Sequence, residues 1–425
     1  MNSEGPNSGR NRESGSWYSK VILGIIVAAT GVGAGDLITA GLAGSELGTA
    51  ILWAALAGSL LKWVLNESLA RWQMATGTTL LEGWIQHLGK WVRWLFMIYF
   101  VLWSYFVGGA LISACGVAGA GFLPVGDPHT SKIVWGIIHS LVGLLLVWLG
   151  GFKAFEYAMS FFIAIMFVAV LLTAVLVAPH WAAVAKGLFV PALPKTGTAW
   201  LVGVLGGVGG TVTLLSYGYW IREKKRTGWA GVKDCRLDLG VGYALTAFFG
   251  VAMIIIGSRV VVIGRGDTVA LVLASQLAKV LGPAGKWIFL AGFWGAVYSS
   301  LVGVWQGVPY LFADFLYLRR GIVLERHAEV DITRTPEYKY YLLGLTFVPM
   351  TLLWFNLKQV QLIYAIMGAL FMPFLAFVLL ILNNRTRLVG TKFKNGPLTN
   401  LLLLVTLTFF AYVGFIEIVG AITGK

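Results

Sequence analysis

The chain has 425 residues, 58% of them hydrophobic and only 12% charged, with a mean hydropathy of +0.80. A soluble domain carries about 25% charged residues, so this composition excludes a water-soluble globule as its main body. The net charge of +14 does not point to nucleic acid, because the basic residues alternate with apolar stretches instead of forming one face.

Residues 1–19 are rich in Ser, Asn, Gly and Arg and are expected to form a disordered tail, with no short apolar core and cleavage site before the first span. Bilayer-length apolar stretches follow, each roughly 20 residues because a helix rises about 1.5 Å per residue across about 30 Å of hydrocarbon. They fall at 20–44, 49–70, 94–122, 133–150, 155–178, 197–220, 239–263, 285–316, 341–355, 359–382 and 400–422. The pattern predicts an all-α polytopic membrane protein of about 11 transmembrane helices, one transmembrane domain over 20–425. With the amino terminus inside, 22 of the 32 Lys and Arg fall on the cytoplasmic side, nine fall outside and Lys62 lies within a span. This is the bias of the positive-inside rule, and the odd number of spans puts the carboxyl terminus outside. The two cysteines, Cys115 and Cys235, fall towards opposite sides and suggest neither a disulfide nor a metal cluster.

Two spans carry glycine runs. The first reads Thr30-Gly31-Val32-Gly33-Ala34-Gly35-Asp36 and the sixth Gly206-Gly207-Val208-Gly209-Gly210-Thr211-Val212-Thr213. They occupy matching places in two five-span halves, 20–178 and 197–382, with the span at 400–422 appended. Paired interrupted helices in matching positions point to a midplane substrate site in transporters with inverted repeats. Close helix packing is the plainer explanation of such glycines, and it suffices for Gly303 and Gly307 in span eight. Asp36 strengthens the first view, because a carboxylate within a span costs about 2.5–3.5 kcal/mol on insertion scales and normally faces a cavity or a partner. Lys62 is one conceivable partner, although Glu67 lies nearer to Lys62 in sequence; Glu46 is expected near the outer end of the first helix, solvated.

The stretch Thr39 to Trp53, TAGLAGSELGTAILW, with Leu69-Ala70-Arg71 and Ala75-Thr76-Gly77, resembles the first two spans of the Nramp family of divalent-metal transporters. Ala247-Phe248-Phe249, Gly210-Thr211-Val212 and Ser299 to Gly307, SSLVGVWQG, are similar to that family in the same order along the chain. The resemblance implies the LeuT-type fold, a 5+5 inverted repeat with discontinuous spans one and six. The departures fall on the metal motifs. Gly33-Ala34-Gly35-Asp36 stands where the family has DPGN, and Thr213-Leu214-Leu215 where it has MPH. Ile366 takes the place of a span-ten glutamine, and span three, from Trp94 to Phe122, lacks the acidic residues of the family's proton route.

A thioether selects soft transition metals, whereas hydroxyl, carbonyl and carboxylate oxygens suit hard ions. The expectation is therefore a secondary transporter of a hard divalent cation, magnesium or manganese, partly hydrated and without the usual proton coupling. Asp36, Thr213 and Gly33 are the candidate metal ligands, and Gly35, Gly210, Thr211 and Ser216 complete the candidate substrate site. The alternative on the same fold is a carrier of an amino acid or other small organic solute, its carboxylate held by backbone N–H groups of Gly31, Gly33 and Gly35. No enzyme activity and no cofactor are expected: the five histidines are scattered, and the glycine-rich segments lack the lysine and hydroxyl residue of a phosphate loop. The expected partners are the ion and the lipid bilayer, with monomeric function in a bacterial inner membrane. Trp17, Trp53, Trp72, Trp91, Trp94, Trp181, Trp200 and Trp287 are placed in interfacial belts.

Overall fold

The computed structural model describes residues 35–150, 161, 164, 167–177, 180–194, 197–207, 210–261, 266–319 and 331–423, and its regular structure is helical. A π-helical turn at Gly35–Thr39 runs into α1 (Ala40–Leu47), and a 3₁₀ turn at Gly48–Ile51 joins it directly to α2 (Leu52–Thr76). Then come the short α3 (Leu80–His87), α4 (Gly89–Phe122), α5 (Pro128–Leu149), α6 (Phe167–Leu176) and α7 (Trp181–Phe189). Span six is split between α8 (Thr198–Gly207) and α9 (Ser216–Glu223). The rest is α10 (Gly228–Gly257), α11 (Val269–Leu281), α12 (Pro283–Arg319), α13 (Pro336–Phe347), α14 (Leu357–Leu382), α15 (Thr386–Phe393) and α16 (Pro397–Thr423).

Local chemistry explains several boundaries. Thr79 and Glu82 form a reciprocal capping box that starts α3. Asp127 caps α5 by accepting from the His129 and Thr130 amides, with Pro128 at the first helical position. Its carboxyl is held below the ordinary range first by the Thr130 hydroxyl and then by these amides. Thr335 before Pro336 and Asn356 before Leu357 cap α13 and α14 in the same way.

The spans pack as two groups. α1 and α2 each contact both α8 and α10, and α4, α5, α12 and α13 contact one another, while α14 touches both α8 and α4. Small residues permit the closest crossings: a Cβ at Gly58 would meet the Leu205 carbonyl oxygen at 2.6 Å, and one at Gly206 would meet the Ala369 Cβ at 2.5 Å. Where α14 bridges the groups, Gln361 donates to the Ala110 carbonyl (2.8 Å), and Tyr99 donates to the Met367 carbonyl (2.6 Å).

Some expectations are corrected. Trp72 belongs to the interior rather than to a belt, 1% exposed and donating to the Thr79 carbonyl. Trp91, Trp94, Trp181 and Trp287 are exposed, as an interfacial belt requires. Spans one and two have no loop between them, and the connection before span eight holds the helix α11. Cys115 and Cys235 are free and buried.

Candidate functional site

The break in span six is local and explicable. α8 ends at Gly207, Gly210 sits at φ +79°, where only glycine is at ease, and a 3₁₀ turn over Val212–Leu215 leads into α9. Facing it, span one departs from α geometry at Gly35–Thr39, the π turn that contains Asp36. An irregular backbone at bilayer depth persists only where protein or a cavity satisfies it.

Three hydroxyls on or beside the two irregular turns have their hydrogen-bonding capacity unused. Thr39, Thr211 and Ser216 are 0%, 1% and 4% exposed, and none of their hydroxyl oxygens has a hydrogen-bond partner among the described residues. The Thr211 methyl faces Gly368 of α14, whose Cβ would lie 2.6 Å away. The Thr39 methyl faces Gly203 of α8 at 3.3 Å from its would-be Cβ, and Ala365 of α14 closes on the same spot. Ser216 Oγ faces Gly307 of α12 at 3.0 Å from its would-be Cβ, so Gly307 clears room for the start of α9. An unsatisfied buried hydroxyl costs about 1–3 kcal/mol, a cost that a bound oxygen-ligated group would offset.

Of the residues singled out from the sequence, Thr211 and Ser216 are thus brought to the span-six break. Gly210 provides its turn, and Gly35 opens the π turn of span one. Asp36 lies in that π turn and Thr213 in the 3₁₀ turn, while Gly31 and Gly33 fall outside the described residues. Leu215, at the position compared with an imidazole ligand, is a buried apolar residue, and Thr213 stands at the position compared with the thioether. Thr39 was absent from the sequence-derived candidates. Gln361 was too; it is 0% exposed, with Oε1 unpartnered, five residues before Ile366 on α14. Among the described residues no group of three His, Cys, Asp or Glu side chains is arranged to hold a metal.

Glu67, Asp238 and Asp314 of the spans are engaged elsewhere. Glu67 binds Arg71 (2.8 Å) and Arg236 (2.8 Å) rather than standing as an obvious mate for Lys62, which is itself fully buried. α9 is tied on three sides: Tyr217 donates to Asp238 (3.3 Å), Tyr219 donates to Asp314 (2.5 Å), and Arg222 donates to Glu82 (2.7 Å). Arg226 adds an ion pair with Asp238. At the opposite end of the molecule Lys132 binds Asp267 (2.9 Å) and the Phe355 carbonyl (3.0 Å), and Glu46 meets Lys358 at 3.6 Å instead of being merely solvated. His139 is a structural residue, with Nδ1 on the Trp135 carbonyl (2.7 Å) and Nε2 accepting from Trp294 (2.8 Å).

Comparison with known proteins agrees with this architecture. The chain is 26% identical over 412 residues to the divalent metal cation transporter MntH of Deinococcus radiodurans, covering 89% of this chain and 85% of that protein. It is 24% identical over 315 residues to an uncharacterised protein of Pasteurella multocida, covering 72% and 68%. Among solved structures, a mutant of the Eremococcus coleocola manganese transporter superposes with a TM-score of 0.70 at 18% identity, covering 97% of this chain and 89% of that one. MhsT in complex with L-phenylalanine superposes with a TM-score of 0.57 at 15% identity, covering 95% and 99%. The family model for natural resistance-associated macrophage protein-like proteins matches residues 24–420. This chain, with its broken sixth span, belongs to the Nramp family, whose members are transporters and not enzymes.

Proposed function

We propose that the protein carries a hard divalent cation, magnesium or manganese in partly hydrated form, through the break in spans one and six. The observation that carries this reading is the set of buried, unpartnered hydroxyls of Thr39, Thr211 and Ser216 beside the irregular backbone at Gly210. Oxygen donors of this kind suit ions that dehydrate reluctantly and bind through retained water. Asp36 supplies the charge in this reading, with Thr213 and the backbone near Gly33, Gly35 and Gly210 as further oxygen donors. The names of the Deinococcus and Eremococcus relatives, a divalent metal cation transporter and a manganese transporter, support the cation class. Thr213 and Leu215, at the positions compared with the thioether and the imidazole, favour hard ions within it, since they offer neither sulfur nor imidazole.

Transport proceeds by alternating access, the α1–α2–α8–α10 group rocking against the α4–α5–α12–α13 group about the site. With no acid in span three, the cycle runs without the family's proton route. The basic clusters at Arg222–Arg226 and Arg385–Lys394 orient the chain with its amino terminus in the cytoplasm and its carboxyl terminus outside, in a bacterial inner membrane, where it acts as a monomer.

Uptake by proteoliposomes tests the reading. Magnesium or manganese is expected to enter, Asp36→Ala to abolish entry, and a pH-sensitive dye trapped inside to stay silent. Entry unaffected by that substitution defeats it. Thermal stabilisation by L-phenylalanine or other amino acids, with none by divalent salts, would transfer the site to organic solutes instead.

A further inference from the structure

A second feature lies at the basic face of the molecule, away from the span breaks. A cavity of about 400 Å³ opens between the end of α3 and the start of α15, lined by His87, Arg385, Thr386, Arg387 and Leu388. No acid lines it, and the exposed guanidiniums of Arg385 and Arg387 form no ion pair among the described residues. We propose that this cavity binds the phosphate of an anionic phospholipid headgroup.

The depth is right. His87 closes α3 just before span three begins at Gly89, and Arg385 follows directly on the end of span ten at Leu382. Both walls therefore stand where helices leave the hydrocarbon. Trp91 and Trp94, 88% and 53% exposed, flank the His87 side and anchor that level in the headgroup layer. Basic pockets between transmembrane helices at this level recognise lipid headgroups, and guanidinium forks match phosphate oxygens bidentately. The Thr386 hydroxyl adds a neutral donor, and Leu388 an apolar wall for the glycerol end.

The segment that carries the arginines is held rigidly, unlike a polybasic tail. Asn383 donates to the Ser68 carbonyl (2.8 Å), and Asn384 donates to Asn400 Oδ1 (2.8 Å). Arg71 of α2 donates to the Phe393 and Lys394 carbonyls (3.2 and 3.1 Å) and to Asn395 Oδ1 (2.8 Å). Fixing the loop at both ends removes ordering entropy that a headgroup would otherwise have to overcome. The same Arg71 binds Glu67, so the loop is tied to the core of α2.

Native mass spectrometry and thermal shift of the full chain in detergent test the proposal, with phosphatidylglycerol, phosphatidylcholine and inorganic phosphate as probes. Phosphatidylglycerol is expected to bind and stabilise, and the other two to do neither. Arg385→Gln with Arg387→Gln is expected to weaken phosphatidylglycerol binding about thirtyfold, each basic residue near an anionic surface contributing roughly a factor of five. Lys225→Asn with Lys233→Gln, which removes two exposed charges elsewhere on the same face, is expected to leave it within about twofold. Equal loss in both double variants reduces the effect to general surface attraction and overturns the site. Equal stabilisation by inorganic phosphate assigns the cavity to a soluble anion and overturns the lipid. Neither result bears on ion uptake through spans one and six.

Discussion

Thr211 illustrates how stability and binding oppose each other at a single residue. Its hydroxyl is buried without a partner, so removing it while keeping the shape relieves a desolvation cost. Thr211→Val is expected to raise the thermal stability of the ion-free protein by about 1 kcal/mol and to weaken the apparent ion affinity about tenfold. A calorimetric melt with and without millimolar magnesium reads both quantities; a variant that loses stability without ligand contradicts the assignment. Ser216→Ala is expected to behave alike. At this scale the sequence was only half legible. Asp36 stood out because a carboxylate within an apolar span is expensive, and Thr211 and Ser216 because they adjoin a glycine run. Thr39 did not, because a threonine in a helix ordinarily bonds the carbonyl one turn back, as Thr246, Thr346 and Thr406 do here. Only coordinates reveal that the Thr39 hydroxyl lacks such an acceptor.

The elements themselves were easier to read, since hydrocarbon imposes one length and one hydrogen-bonding solution on every span. The glycine run at 206–210 announced the split between α8 and α9 because Gly210 needs a left-handed backbone. The three ties on α9 were not visible, for Glu82, Asp238 and Asp314 are far from Arg222, Tyr217 and Tyr219 in the chain or lie on different helices. Tyr219→Phe removes one charge-assisted hydrogen bond, a loss of about 1.5–3 kcal/mol of restraint on α9. Thiol modification of a Ser216→Cys reporter from the basic face is expected to accelerate about tenfold or more in that background. An unchanged rate means that the Tyr219–Asp314 bond does not restrain the inner half of span six. A Gly58→Val change is expected to disrupt folding outright, because the added Cβ meets the Leu205 backbone at 2.6 Å, and low yield of monodisperse protein is the readout.

For the molecule as a whole, the polar ties at its two ends differ in kind. On the basic face Glu82 and Asp314 are 0% and 1% exposed and clasp α9; at the other face Lys132 and Asp267 form a buried pair, while Glu46 and Lys358 meet loosely, with Glu46 about half exposed. Exposed pairs are worth only about 0.2–1 kcal/mol. Lys358→Gln is therefore expected to slow modification of the same Ser216→Cys reporter by no more than about fivefold, opposite in sign to Tyr219→Phe. Changes of the same sign would break the reciprocity that rocking requires. One feature of the chain path also bears on its birth. Because a single turn at Gly48–Ile51 joins the first two spans, a nascent chain delivers them to the lipid as a hairpin. The second arm carries Lys62, Asn66 and Glu67 and enters the bilayer in the company of the more apolar first arm, so its polar residues never have to be inserted unaided.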